Sequence, residues 1–163
     1  MLRSEGFTLT EVLVIVAVIG LLGTLGISFS AEALARQRVE AATRRVLLGL
    51  ERGRLAAERR GVPCALALDA GGWRLTSAAG LVGCEGSELS FGEGVSDAEG
   101  LRLEHNLPEA VRFSSNGLVL DAGTVLVGHP GTELVRCVVV SLPLGITRVG
   151  LYGNGVCRPD PAL

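Results

Sequence analysis

The chain has 163 residues, of which 48% are hydrophobic and 4% aromatic, with 23 glycines and a net charge of -2. This leaves room for one domain plus an extra element and disfavours an all-helical bundle. All 15 cationic residues are arginine, which excludes a lysine Schiff base or a P-loop lysine, and the overall charge lacks the strongly basic footprint of a nucleic-acid-binding domain.

From Phe7 to Ile27 the chain is apolar apart from Glu11 and contains no proline. As a helix rising about 1.5 Å per residue it spans roughly 30 Å, the thickness of a bilayer's hydrocarbon core. Gly20, Gly23 and Gly26 gather toward one side of it, as at close helix contacts or simply as glycine is tolerated in membrane helices. From Ser30 to about Arg60 the pattern becomes amphipathic, with Val39, Ala42, Val46, Leu50, Gly53 and Ala57 three or four apart. Eight arginines (Arg36, Arg38, Arg44, Arg45, Arg52, Arg54, Arg59 and Arg60) make this stretch locally basic. They read as a solvated face, some of which can meet lipid head groups or acidic neighbours. Gly61-Val62-Pro63 stops the helix, because proline disfavours helical geometry in the residue before it.

Beyond Pro63 the chain reads as strands punctuated by glycine turns. Residues 64–69 and 73–77 flank Ala70-Gly71-Gly72 as a hairpin, and the acidic, glycine-rich stretch 78–100 reads as a long loop. Strands are expected at 101–104, 110–114, 118–120, 124–128, 134–142 and 146–152, with Asn116-Gly117 and Pro143-Leu144-Gly145 as turns. The fold class is therefore α+β: one long N-terminal helix, its first half transmembrane, packed on an antiparallel β-sheet.

The N-terminus carries the most specific signal. Met1-Leu2-Arg3-Ser4-Glu5-Gly6 precedes Phe7-Thr8-Leu9-Thr10-Glu11, and this resembles the class III leader of type IV pilins and pseudopilins. The resemblance implies that a prepilin peptidase cuts after Gly6 and methylates the new amine of Phe7. It also implies that Glu11 neutralises the N-terminal amine of an adjacent subunit and so sets axial register. A carboxylate inside a membrane segment costs about 2.5 to 3.5 kcal/mol on insertion scales, which independently asks for a partner. The rival readings are a secretory signal removed near Ser28-Phe29-Ser30 and a plain membrane anchor. The apolar run is too long for the first, and neither accounts for Gly6-Phe7 together with Glu11.

Later segments narrow the branch. Residues 55–64, ending Arg59-Arg60-Gly61-Val62-Pro63-Cys64, and the following Gly72-Trp73-Arg74-Leu75 resemble the GspH/FimT family of minor pilins and pseudopilins. Val111 to Gly117, Val138-Val139-Val140-Ser141 and Gly145 to Val149 are similar to later strands and turns of that family. The resemblance implies a pilin-like fold in four parts: a leader at 1–6, a transmembrane and filament-core helix at 7–29, its amphipathic half at 30–62 and a β-rich domain at 63–163. It implies no enzyme activity and no cofactor. The implied location is the bacterial inner membrane, single-pass, with the C-terminal domain periplasmic, and then the filament of a type IV pilus or type II secretion pseudopilus. The implied partners are the prepilin peptidase, other pilin or pseudopilin subunits and an inner-membrane assembly platform. The role is structural or priming. The alternative is a DNA- or ligand-binding subunit at a pilus tip, but DNA-binding relatives carry G-R-x-R where this chain has Gly145-Ile146-Thr147-Arg148, keeping only Arg148, with Arg158 further on. Fewer cations mean weaker, salt-sensitive phosphate binding.

Cys64, Cys84, Cys137 and Cys157 contain no C-x-x-C pair, so disulfides are favoured over a metal site. Local pairing of Cys64 with Cys84 and Cys137 with Cys157 is expected among three connectivities, the alternatives being an unpaired Cys84 or four buried thiols. His105 and His129 stand alone, without a second ligand at metal spacing.

Overall fold

The computed structural model describes residues 8–92, 100–142 and 145–160, apart from the side chains of residues 23–30 and of residue 79. Helix α1 runs from Leu9 to Arg60. Ten strands follow among the described residues: β1 (Cys64–Asp69), β2 (Gly72–Leu75), β3 (Val82–Gly83), β4 (Leu89–Ser90), β5 (Arg102–His105), β6 (Val111–Phe113), β7 (Gly123–Gly128), β8 (Arg136–Ser141), β9 (Ile146–Gly153) and β10 (Val156–Pro159). Backbone contacts divide the chain into two units, one ending at Leu34 and the other beginning at Ala35.

The architecture is α+β, as expected, but with two five-stranded sheets rather than one. In the first, β1 pairs antiparallel with β2 and β6, and its start pairs parallel with β3. Because Cys64 and Ala65 face both β3 and β6, and Leu66 faces both β2 and β6, β6 must take one edge of β1 while β2 and β3 share the other. The second sheet is antiparallel throughout, in the order β10-β9-β8-β7-β5.

Inward-pointing residues of both sheets pack on one flank of α1. Val39, Ala42, Val46, Leu50 and Ala57 share a single core with Leu66, Trp73 and Phe113 of the first sheet and Val125, Val127, Val138 and Val140 of the second. Fully burying a Val, Leu or Phe side chain stabilises by about 1.5 to 3 kcal/mol, so this cluster supplies most of what holds the sheets to the helix. The small residues at 49 and 53 set how closely the first sheet approaches. A Cβ added to Gly49 would lie 1.9 Å from Trp73 Cδ1, and one on Gly53 would lie 2.6 Å from Phe113 Cζ. The Trp73 indole lies over the helix backbone, and its Nε1–H donates to the carbonyl of Val46 at 3.1 Å. That bond satisfies the one polar atom of the largest core side chain.

Three expectations are corrected. The stretch 78–100 is not simply a loop: it holds a 3-10 turn at Ala78–Gly80 and the strands β3 and β4, and residues 93–99 lie outside the described set. Two-residue strands show no periodicity, and these are placed by long-range bonds such as Cys84 N–H to Ala65 O at 3.2 Å. Residues 118–120 form one bridge, Phe113 to Val119, rather than a strand. The tail, to which no strand was assigned, forms β10 against β9. A four-residue edge strand ending in proline carries too little pattern to be read in isolation.

Candidate functional site

The residues expected to drive assembly lie at the start of α1. Gly6 and Phe7 fall outside the described residues, so the geometry begins at Thr8. Thr8 caps the helix: its carbonyl accepts from the N–H of Glu11 at 3.1 Å and of Val12 at 3.2 Å. Its hydroxyl accepts the Glu11 N–H at 3.4 Å, and the Glu11 carboxylate accepts the Thr8 N–H at 3.4 Å. This reciprocal pair is a capping box, Thr-x-x-Glu, with the carboxylate at the positive end of the helix. Both contacts are long for hydrogen bonds, the one to the carboxylate especially so for a charge-assisted bond, and Glu11 is exposed. The capping spacing was present in the sequence and went unread beside the assembly signal.

After this cap, every large hydrophobic residue from Leu9 to Leu22 is exposed around the whole circumference of the helix, Leu9 at 78% and Leu21 at 70%. Among the described residues, no helix is long and apolar enough to cross a membrane. The stretch expected to span a membrane, Phe7 to Ile27, lies partly outside the described set, which lacks Phe7 and the side chains of residues 23–30.

The cysteines are paired as Cys64 with Cys84 and Cys137 with Cys157. The second bond has a geometric consequence. Cys137 lies on β8 and Cys157 on β10, with β9 between them, and strands two apart in a flat sheet lie about 9.5 Å from each other. Their Cα atoms are only 6.0 Å apart, so the β9–β10 ribbon folds over the outer face of the second sheet. Gly150, opposite both Cys137 and Pro159, permits this approach. A Cβ there would lie 2.1 Å from Arg158 O and 3.3 Å from Cys157 Sγ.

The folded-over tail is also held electrostatically. The Arg136 guanidinium, nearly buried, donates through Nε to Glu40 Oε1 at 2.8 Å and through Nη1 to Asp160, joining the helix, β8 and the tail. Burial works to lower the Arg136 pKa, but the hydrogen bonds to Asp160 and Glu40 outweigh it and hold the guanidinium above its ordinary value. Sequence reasoning missed this cluster because its members are separated by 96 and 24 positions and carry no local motif. A second pair, Arg112 with Asp121, is bidentate at 3.1 and 2.7 Å, and the Arg112 N–H adds a third bond at 2.8 Å.

Arg148 is exposed on β9 opposite Val139, whose partner on β7 is Thr124. Arg158 stands opposite Leu151 and so points to the other side of the ribbon from Arg148. The two arginines are not brought together as a phosphate clamp. His105 Nε2 contacts Leu68 O at 3.2 Å, and His129 Nδ1 accepts the Gly131 N–H at 2.9 Å. Among the described residues, no group of three His, Cys, Asp or Glu is placed to hold a metal ion.

No curated protein and no solved structure matches this chain. Residues 42–144 match the family described as Type II transport protein GspH. The match begins on α1, takes in the Trp73 and Phe113 core and the first disulfide, and ends before β9. It covers more than half of the sequence, and the chain belongs to the GspH family.

Proposed function

We propose that this chain is a minor pseudopilin, a structural or priming subunit that enters a filament through the first half of α1. The observation that carries this reading is the exposed apolar helix from Val12 to Leu22, directly after a capped carboxylate, on a chain whose residues 42–144 match the GspH family. An apolar helix surface with no inward side requires lipid or other helices around it.

In the proposed cycle, a prepilin peptidase removes residues 1–6 after Gly6 and methylates Phe7, while the helix from Phe7 to Ile27 holds the chain in the inner membrane. The domain from residue 63 onward lies in the periplasm. On an assembly platform, neighbouring subunits' helices then replace lipid around residues 7–29. Glu11 changes partners in that step. Its capping contacts are long, so releasing them costs little beside a charged hydrogen bond to a neighbour's terminal amine, worth about 1.5 to 3 kcal/mol.

Mass analysis of membrane-purified protein should show a chain beginning at Phe7 with one added methyl group. A start near Ala31 would replace this reading with a secreted protein. Glu11→Val should leave membrane insertion intact and abolish incorporation into the filament, measured by filament shearing and immunoblotting. Normal incorporation would remove Glu11 from the register role.

A further inference from the structure

The flank of α1 beside residues 85–87 carries a second pattern. Leu48, Arg52, Leu55 and Arg59 follow one another at spacings of four, three and four, the alternation of a seven-residue repeat. The inward flank already holds the core through Val39, Val46, Leu50 and Ala57, so this seam is additional to the one that folds the domain. Leu48 is 42% exposed and Leu55 37%, and Arg52 and Arg59 are exposed beside them. Along the seam runs a groove of about 510 Å³, whose far wall is Glu85, Gly86 and Ser87. The Cys64–Cys84 bond holds that wall in place, and the ion pair of Arg60 with Glu85 at 3.0 Å ties it to the helix.

We propose that this seam docks an acidic amphipathic helix from another subunit of the same filament, which rests on the assembly reading above. Leucines spaced one per two turns call for the grooves of a second helix, and arginines in line with them call for carboxylates at the facing positions. A second copy of this chain would bring another row of arginines to the same contact. A nucleic-acid backbone would match the arginines and leave Leu48 and Leu55 without a complement. A lipid surface favours a broad apolar face with cations at its margins rather than cations within it.

The test is photo-cross-linking of the full-length chain in its own cell envelope, with benzoylphenylalanine at Leu55 and, as a control on the outer face of the second sheet, at Tyr152. The expected result is an adduct from position 55 alone, to a helix of a different filament subunit bearing acidic residues at seven-residue spacing. It should fall about tenfold in the Arg52→Glu, Arg59→Glu double variant, with both disulfides still formed. An adduct to lipid, nucleic acid or this chain itself would overturn the proposal, as would labelling no stronger than at Tyr152. The two readings fail separately. A double variant that begins at Phe7 and enters filaments with its position-55 adduct undiminished sinks the seam alone, whereas the acidic-helix adduct on a chain that never enters a filament sinks the assembly reading.

Discussion

The two halves of α1 differ in what surrounds them. From Val12 to Leu22 the helix is apolar on every side and exposed on every side. From Ala35 to Arg60 it alternates, with Val39, Val46, Leu50 and Ala57 buried and Arg44, Arg52, Arg59 and Arg60 exposed. The second half derives its stability from packing against sheets of its own chain, whereas the large hydrophobic side chains described in the first half are exposed. Steric changes should therefore be severe in one half and silent in the other.

Glycine substitutions give the largest expected contrast. At Gly49 a side chain enters the space of Trp73, whereas at Gly20 nothing lies within 4 Å. Gly49→Val should destabilise the sheet-bearing unit by about 3 kcal/mol or more, the upper end of overpacking costs, seen as an earlier urea midpoint of Trp73 fluorescence in detergent-solubilised protein. Gly20→Val should leave that midpoint unchanged. Equal effects at both positions would break the comparison.

Next come the disulfides, both in the second unit and each closing a loop with a sequence separation of 20. Replacing either pair by serine should cost about 3 kcal/mol on chain-entropy grounds. The Cys137→Ser, Cys157→Ser variant should in addition lose hydrogen-exchange protection in β9 and β10, because that bond holds the folded-over ribbon. Protection confined to its wild-type pattern would mean that the strand pairing alone holds the tail.

A smaller loss is expected at Arg136. Removing one partner of a buried ion pair costs 3 to 5 kcal/mol, but Glu40 keeps a third of its side-chain exposure, so Arg136→Met should cost about 2 kcal/mol by urea denaturation. Adding Glu40→Leu should restore part of it, since the helix carboxylate is then no longer left without its cation.

The smallest effect is a pH dependence. The hydrogen bond from Arg112 holds the Asp121 carboxyl below its ordinary range, with burial opposing. A depressed folded-state pKa stabilises fully above the unfolded value near pH 4 and is lost as pH falls through the folded value. Wild type should thus lose slightly more thermal stability below about pH 4 than Asp121→Asn does. Parallel melting curves across that window would show the pair to be energetically silent.

Periodicity over long stretches carried much of this fold. The helix and its stop at Gly61-Val62-Pro63, the inward residues from Val39 to Ala57, the first hairpin and the α+β class all follow from spacings of 3.6 and 2 bounded by glycine and proline. The cysteine pairs were accessible because locality made one connectivity simplest. Short elements such as β3, β4 and β10 were not legible, because two to four residues hold no period and these strands exist only by virtue of their neighbours.

By itself, then, the sequence determined which residues form α1, which of its flanks meets the sheets, and that a carboxylate at Glu11 precedes an apolar run; these are local properties of side-chain order. Tertiary structure alone decided the division into two sheets, the gathering of Glu40, Arg136 and Asp160, the separation of Arg148 from Arg158 across the ribbon, and the fold of β10 over Gly150. Each of these joins positions distant in the chain, through strand register and close packing. Those terms exist only once the backbone has closed on itself, so no window of sequence contains them.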